Sequence, residues 1–232
     1  MKPIKEKLFV FDCEWVPLEK GFKDLEINFP SLAEVFIHQV EKWNLQRKSD
    51  GKEELNNEEW WDEKAHFYPE FCKIICVSYG YLNKGNPVIQ SIWGEDEEKI
   101  LKKTSEILDK VNQAGYILSG AGILRFDMPW LSKRMMINGI APPKNINVFG
   151  KKPWEIDVYD IQQVWGQGVY QESFTPLEII SVSLGIPSSK SDLSGSKVKD
   201  AYWNGEIIRI KEYCELDVKS SMECAFKLID LS

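Results

Sequence analysis

The stretch Leu8-Phe9-Val10-Phe11-Asp12-Cys13-Glu14-Trp15-Val16-Pro17 decides how the rest of the chain is read. Four consecutive apolar residues predict a buried strand, and they run directly into two carboxylates for which a buried strand has no ordinary use. Strand side chains alternate, so Asp12 and Glu14 fall on the same face, about 6.5–7 Å apart along the chain. Like charges held so close at the end of a core strand repel and lose hydration unless a cation lies between them. The stretch therefore predicts a hard divalent ion.

Composition sets the frame for that strand. With 232 residues, 43% of them hydrophobic, the sequence suits one α/β domain spanning 1–232 with a full core. A net charge of −7 argues against a protein that coats long duplexes by neutralising phosphates. An enzyme that grips one strand end through metal ions stays compatible. Cys13, Cys72, Cys76, Cys214 and Cys224 form no C-x-x-C motif, and only His38 and His66 could complete a zinc set, so reduced thiols and a cytoplasmic location are expected. The apolar run after Lys7 is too short for a signal peptide, and no stretch of about 18 apolar residues predicts a membrane span.

Downstream of Pro17, residues 18–65 turn polar and helix-forming, which predicts a charged insertion after the first strand. Leu32, Val35, Phe36, Val40 and Trp43 have helical spacing, giving one amphipathic helix over about 31–46 and then a mobile polar loop. Trp60-Trp61 could stack on bases, and reads more simply as an anchor for that loop. Residues 73–82 and 87–93 form a hairpin around Asn83-Lys-Gly-Asn86. Glu95, Asp96, Glu97 and Glu98 read as a capped, solvated helix start. A short strand at 116–120 leads to Asp127, which by itself reads as the N-cap of a helix closed by Asn138-Gly139. A further strand near 156–159 turns into a helix at Asp160. Thr175-Pro-Leu-Glu178 predicts a capping box, the segment 187–199 a loop, and Asn204-Gly205 the start of a last helix. On that helix Tyr213 and Asp217 share a face.

Three carboxylate motifs occur in order: Asp12-x-Glu14 at a strand end, Phe126-Asp127 at a helix start, and Tyr213-x-x-x-Asp217 on a C-terminal helix. Together they resemble the exonuclease motifs of the DEDD (DnaQ-like) superfamily, with the tyrosine of the DEDDy branch. Phe67-Tyr-Pro-Glu-Phe71, Arg134-Met-Met-Ile-Asn-Gly-Ile140, Gly150-Lys-Lys-Pro-Trp-Glu155 and Ser183-Leu-Gly-Ile-Pro187 are similar to stand-alone exonucleases related to the exonuclease domain of family B DNA polymerases. The resemblance covers roughly 8–17 and 66–230.

It implies a ribonuclease H-like fold with a five-stranded mixed sheet flanked by helices. It also implies two Mg²⁺ or Mn²⁺ ions held by Asp12, Glu14, Asp127 and Asp217, with Tyr213 orienting the attacking water. Oxygen-only ligands suit such ions, and a phenol of ordinary pKa about 10 is a poor base near neutrality. The implied reaction is 3′-to-5′ hydrolysis of single-stranded DNA in replication or repair, with a polymerase partner in trans. RNA trimming, or nucleic-acid binding without efficient turnover, are the alternatives.

Trp15, Gly122, Arg125, Phe126 and Lys152 are the substrate-binding candidates, and Lys151, Lys190, Lys197 and Lys199 could line a strand path. One position departs from the resemblance. Relatives commonly carry asparagine five residues before the second-motif aspartate, where it helps hold the terminal nucleotides, and this chain carries Gly122.

Overall fold

The computed structural model describes residues 3–152, 155–167, 175–188 and 193–231, so Lys190 and the Pro153-Trp154 pair lie outside the described residues. Two compact units emerge from the contacts: residues 15–73 form one, and the remaining segments on either side form the other.

The larger unit is built on a sheet of order β3-β2-β1-β4-β5, with β1 Leu8–Pro17, β2 Cys72–Asn83, β3 Asn86–Trp93, β4 Ile117–Gly120 and β5 Val158–Asp160. β2 and β3 pair antiparallel, as the hairpin predicts, while β1–β4 and β4–β5 pair parallel. The sheet is mixed, and the expected α/β architecture holds.

β1 sits inside the sheet, which is why its apolar run is unbroken. Leu8 and Val10 pack on one face with Val218, Met222 and Ala225 of the long helix α9 (Ile207–Leu231). Phe9 and Phe11 point the other way and line a small apolar space with Tyr79, Thr104 and Leu108, the last two from α4 (Glu97–Gln113). Each fully buried side chain of this kind contributes about 1.5–3 kcal/mol. The alternation carries Asp12 and Glu14, in phase with Leu8 and Val10, to the α9 side.

Parallel pairing brings the carboxyl ends of β1, β4 and β5 to one edge, with Val10 opposite Ser119 and Gly120 opposite Asp160. Ligand sites of open α/β sheets gather at such an edge. β4 must end in glycine there, because a Cβ on Gly120 would meet the Phe11 carbonyl oxygen at 2.6 Å.

Helix α5 (Asp127–Ile137) follows β4 and ends at Asn138-Gly139 as expected. Its Arg134 forms a bidentate pair with Glu97, through Nε at 2.9 Å and an NH2 group at 2.6 Å. That corrects the reading of the acidic run: Asp96 caps α4 by accepting from the Lys99 N–H, but Glu97 is turned inward.

Other boundaries differ from expectation. The Thr175-to-Glu178 capping box does not form; Pro176 stands at the N-cap of α7 (Leu177–Ser183) without a side-chain cap. Asn204-Gly205 closes a helix instead of opening one: α8 (Val198–Trp203) occupies the end of the expected loop, and Gly205 follows it at φ +79°.

The smaller unit holds α1 (Phe22–Asn28), α2 (Pro30–Ser49) and α3 (Asn57–Lys64). α3 replaces part of the expected mobile loop, because Asn56 accepts from the Glu59 N–H while the Glu59 carboxylate accepts from the Asn56 N–H. Its Trp60 and Trp61 are buried with Phe22, Phe36 and Phe71, so the tandem tryptophans are core anchors and not an exposed stacking pair. Among the described residues, no helix is long and apolar enough to cross a membrane.

Candidate active site

The predicted carboxylates converge in the larger unit. Asp12 and Glu14, half-buried at the end of β1, face α9, which supplies Tyr213, Cys214 and Asp217. Cys214 donates to Asp12 Oδ2 at 3.3 Å. Asp127 is buried at 4% exposure and is the first residue of α5, not its N-cap, which is Phe126; its Oδ1 accepts from the Cys13 backbone N–H at 2.9 Å and from the Cys13 thiol at 3.2 Å. The start of α5 is thereby fastened to β1, between the two carboxylates that the strand contributes.

Electrostatics follow from this crowding. Burial, then repulsion from Asp127, Glu14 and Asp217, pushes the Asp12 carboxyl well above the ordinary range, against a lowering contribution from the Cys214 thiol. Burial raises Glu14 as well, helped by Asp217, Cys76 and Asp127. Asp127 is raised by burial to about 6, while the hydrogen bonds from Cys13 hold it down. These groups resist carrying charge together unless a cation compensates, and their oxygen donors suit a hard divalent ion. The residues present fit the ions expected from the sequence.

Tyr213 is raised by burial first and then by Glu14 and Asp217, and its hydroxyl hydrogen-bonds to Asp217. The phenol keeps its proton across the working range of pH. A phenol held in that form is a poor base and a ready hydrogen-bonding group.

The substrate-binding candidates separate. Gly122, buried, and Phe126, half-buried, lie on the loop from β4 to α5, where the exposed Arg125 guanidinium stands 5.3 Å from the Phe126 ring centroid. Lys152 is exposed on the segment before β5, its backbone N–H held by Glu155 at 2.8 Å. Trp15 belongs to the smaller unit, where its Nε1 donates to the His66 carbonyl at 3.0 Å.

Sequence reasoning missed Asp160. This carboxylate is 2% exposed and accepts from the backbone N–H groups of Gly122 (3.1 Å), Leu124 (3.0 Å), Gln162 (2.9 Å) and Gln163 (3.4 Å). It caps α6 (Ile161–Trp165) and also fixes the loop that delivers Asp127. An aspartate between a strand and a helix announces the cap but not the second set of donors. Replacing it by asparagine removes an acceptor and leaves one buried N–H unsatisfied, a cost of about 1–3 kcal/mol. We expect Asp160→Asn to lower the melting temperature and to raise KM more than it lowers kcat, since the loop moves while the metal ligands stay; an unchanged KM would leave Asp160 a helix cap alone.

Gly122 adopts φ +79°, and a Cβ there would lie 2.5 Å from Gln162 Oε1. The Gln162 carboxamide thus fills the space beside position 122, and its Nε2 donates to the Thr175 carbonyl at 3.2 Å.

Comparison with known proteins accords with this geometry. The structure is similar to the family B DNA polymerase from the hyperthermophilic archaeon Pyrobaculum calidifontis, with a TM-score of 0.59 and 15% identity over 97% of this chain and 25% of the polymerase. The chain thus spans about a quarter of that protein's length, and the likeness is one of fold. No curated protein matches its sequence. A family profile matches residues 65–222, and the chain belongs to that family, the predicted 3′-5′ exonucleases related to the exonuclease domain of PolB.

Proposed function

We propose that the chain is a metal-dependent exonuclease that removes nucleotides one at a time from the 3′ end of single-stranded DNA. The observation that carries this reading is the convergence of Asp12, Glu14, Asp127 and Asp217: burial, with repulsion from neighbouring carboxylates, raises Asp12 and Glu14, burial raises Asp127, and the crowding calls for cations. Two Mg²⁺ or Mn²⁺ ions held by these residues would stabilise the attacking and leaving oxygens of an in-line displacement. Tyr213, protonated and bonded to Asp217, retains oxygen lone pairs with which to orient the attacking water.

The loop from Gly122 to Phe126 would receive the terminal nucleotide, with Arg125 offering charge to a phosphate and Phe126 a ring face to the base or sugar. Lys152 would act further along the strand. An acidic chain of this size is suited to holding one strand end locally, with processive work depending on a polymerase or other replication partner in trans.

The test uses a 5′-labelled single strand in Mn²⁺ and in a chelator, with a matched RNA strand in parallel. A descending ladder of DNA products that the chelator abolishes is the expected result. Preference for the RNA strand would reassign the substrate, because discrimination rests on contacts around the 2′ position. Binding without products would make the chain a nucleic-acid-binding module.

A further inference from the structure

Sulfur stands beside the carboxylates in a way that oxygen chemistry does not require. Cys214 Sγ, fully buried, lies 3.3 Å from Asp12 Oδ2, and the ligand atoms of Asp12, Glu14 and Cys214 all fall within 4.8 Å of one another. Donor atoms around one tetrahedral ion stand about 3.5 Å apart when metal–ligand bonds are about 2.0–2.3 Å. The three donors are therefore within about 1 Å of sharing one coordination sphere. Further thiols stand close by: Cys76 hydrogen-bonds Cys214, and Cys13 lies 3.2 Å from Asp127 Oδ1.

We propose that Cys214 turns the Asp12–Glu14 position into a mixed oxygen–sulfur site for thiophilic divalent ions of the zinc and cadmium class, which occupy it in place of a hard ion and arrest the enzyme. This rests on the metal-binding reading of Asp12 and Glu14. Magnesium has little affinity for sulfur and leaves the S–H bond intact. With zinc or cadmium the S–H bond breaks, a metal–sulfur bond forms, and the proton passes to solvent. The thiolate then takes a position that a catalytic ion held by Asp12 and Glu14 keeps open for water and phosphate. The side chain that donates a hydrogen bond to Asp12 in the resting protein becomes a ligand.

The full chain is titrated with Cd²⁺ while the ultraviolet sulfur-to-cadmium charge-transfer absorption is followed. Mn²⁺ binding is measured separately from the loss of its free-ion magnetic resonance signal. In the wild type the absorption rises to saturation. Cys214→Ser is expected to lose it and to bind Cd²⁺ at least about tenfold more weakly, while Mn²⁺ affinity changes less than about twofold. Cys13→Ser keeps the absorption. Thermal melting checks that each variant is folded, and Cys214→Ala serves as the second variant at this position.

Absorption retained in folded Cys214 variants, or lost in Cys13→Ser instead, overturns the assignment. Mn²⁺ binding without any sulfur–cadmium absorption in the wild type sinks this inference alone. Failure of the wild type to bind either ion sinks the metal reading and the inference with it.

Discussion

Asp12→Asn is expected to reduce nucleotide release by about 10³- to 10⁴-fold, the scale on which one member of a catalytic unit is lost. The same substitution should leave the metal-free protein folded and more heat-stable at neutral pH. Burial and three neighbouring carboxylates raise the Asp12 carboxyl well above its ordinary value, so the folded state binds more protons than the unfolded one between those two values. Metal-free stability therefore falls as pH rises through that window. An asparagine carries no such charge, and each kcal/mol of repulsion relieved raises the melting temperature by about 2–4 °C in a chain of this size. Mn²⁺ should stabilise the wild type and not the variant. Differential scanning calorimetry with and without metal, beside a product ladder, reads both effects. Full hydrolysis in the variant, or a lower metal-free melting temperature, would place Asp12 outside the centre.

Trp61→Ala carries the largest expected cost in stability. Trp61 is fully buried, with ring centroids 5.2 Å from Phe36, 6.0 Å from Phe71 and 6.4 Å from Phe22, and its Nε1 donates to the Glu19 carbonyl at 3.2 Å. Truncating a buried aromatic of this kind costs about 3–5 kcal/mol. The cluster lies within residues 15–73, so the loss should appear in hydrogen exchange as faster exchange of those amides, with β4, β5 and α9 retaining their protection. Equal acceleration in α9 would show that the smaller unit does not open by itself.

β1 was legible because its two messages are local: an unbroken apolar run for burial and an alternation that sets both carboxylates on one face. The hairpin at Asn83 to Asn86 and the helix stop at Asn138-Gly139 were legible for the same reason. α3 was not, since residues 48–59 are polar and the helix depends on a cap at Asn56 and on two tryptophans that find their partners in α1 and α2. Asn204-Gly205 misled because a turn signal marks a boundary without saying on which side the helix lies.

In the site, the carboxylates and Tyr213 were visible through motif order, whereas Asp160, Gln162 and the thiols were not. Their roles arise only when parallel strands bring distant ends together, as when the Asp160 side chain reaches the backbone at Gly122 and Leu124, 38 and 36 residues away.

Gln162 also limits how this chain can change. A side chain added at position 122 meets the Gln162 carboxamide oxygen, 2.5 Å from where its Cβ would be, so the Gln162 side chain has to swing aside to admit it. The two positions form an epistatic pair: Gly122→Asn alone meets both a clash and a left-handed backbone, and Gln162→Ala alone leaves the space unfilled. The residue that position 122 can carry therefore depends on how the side chain of residue 162 is turned.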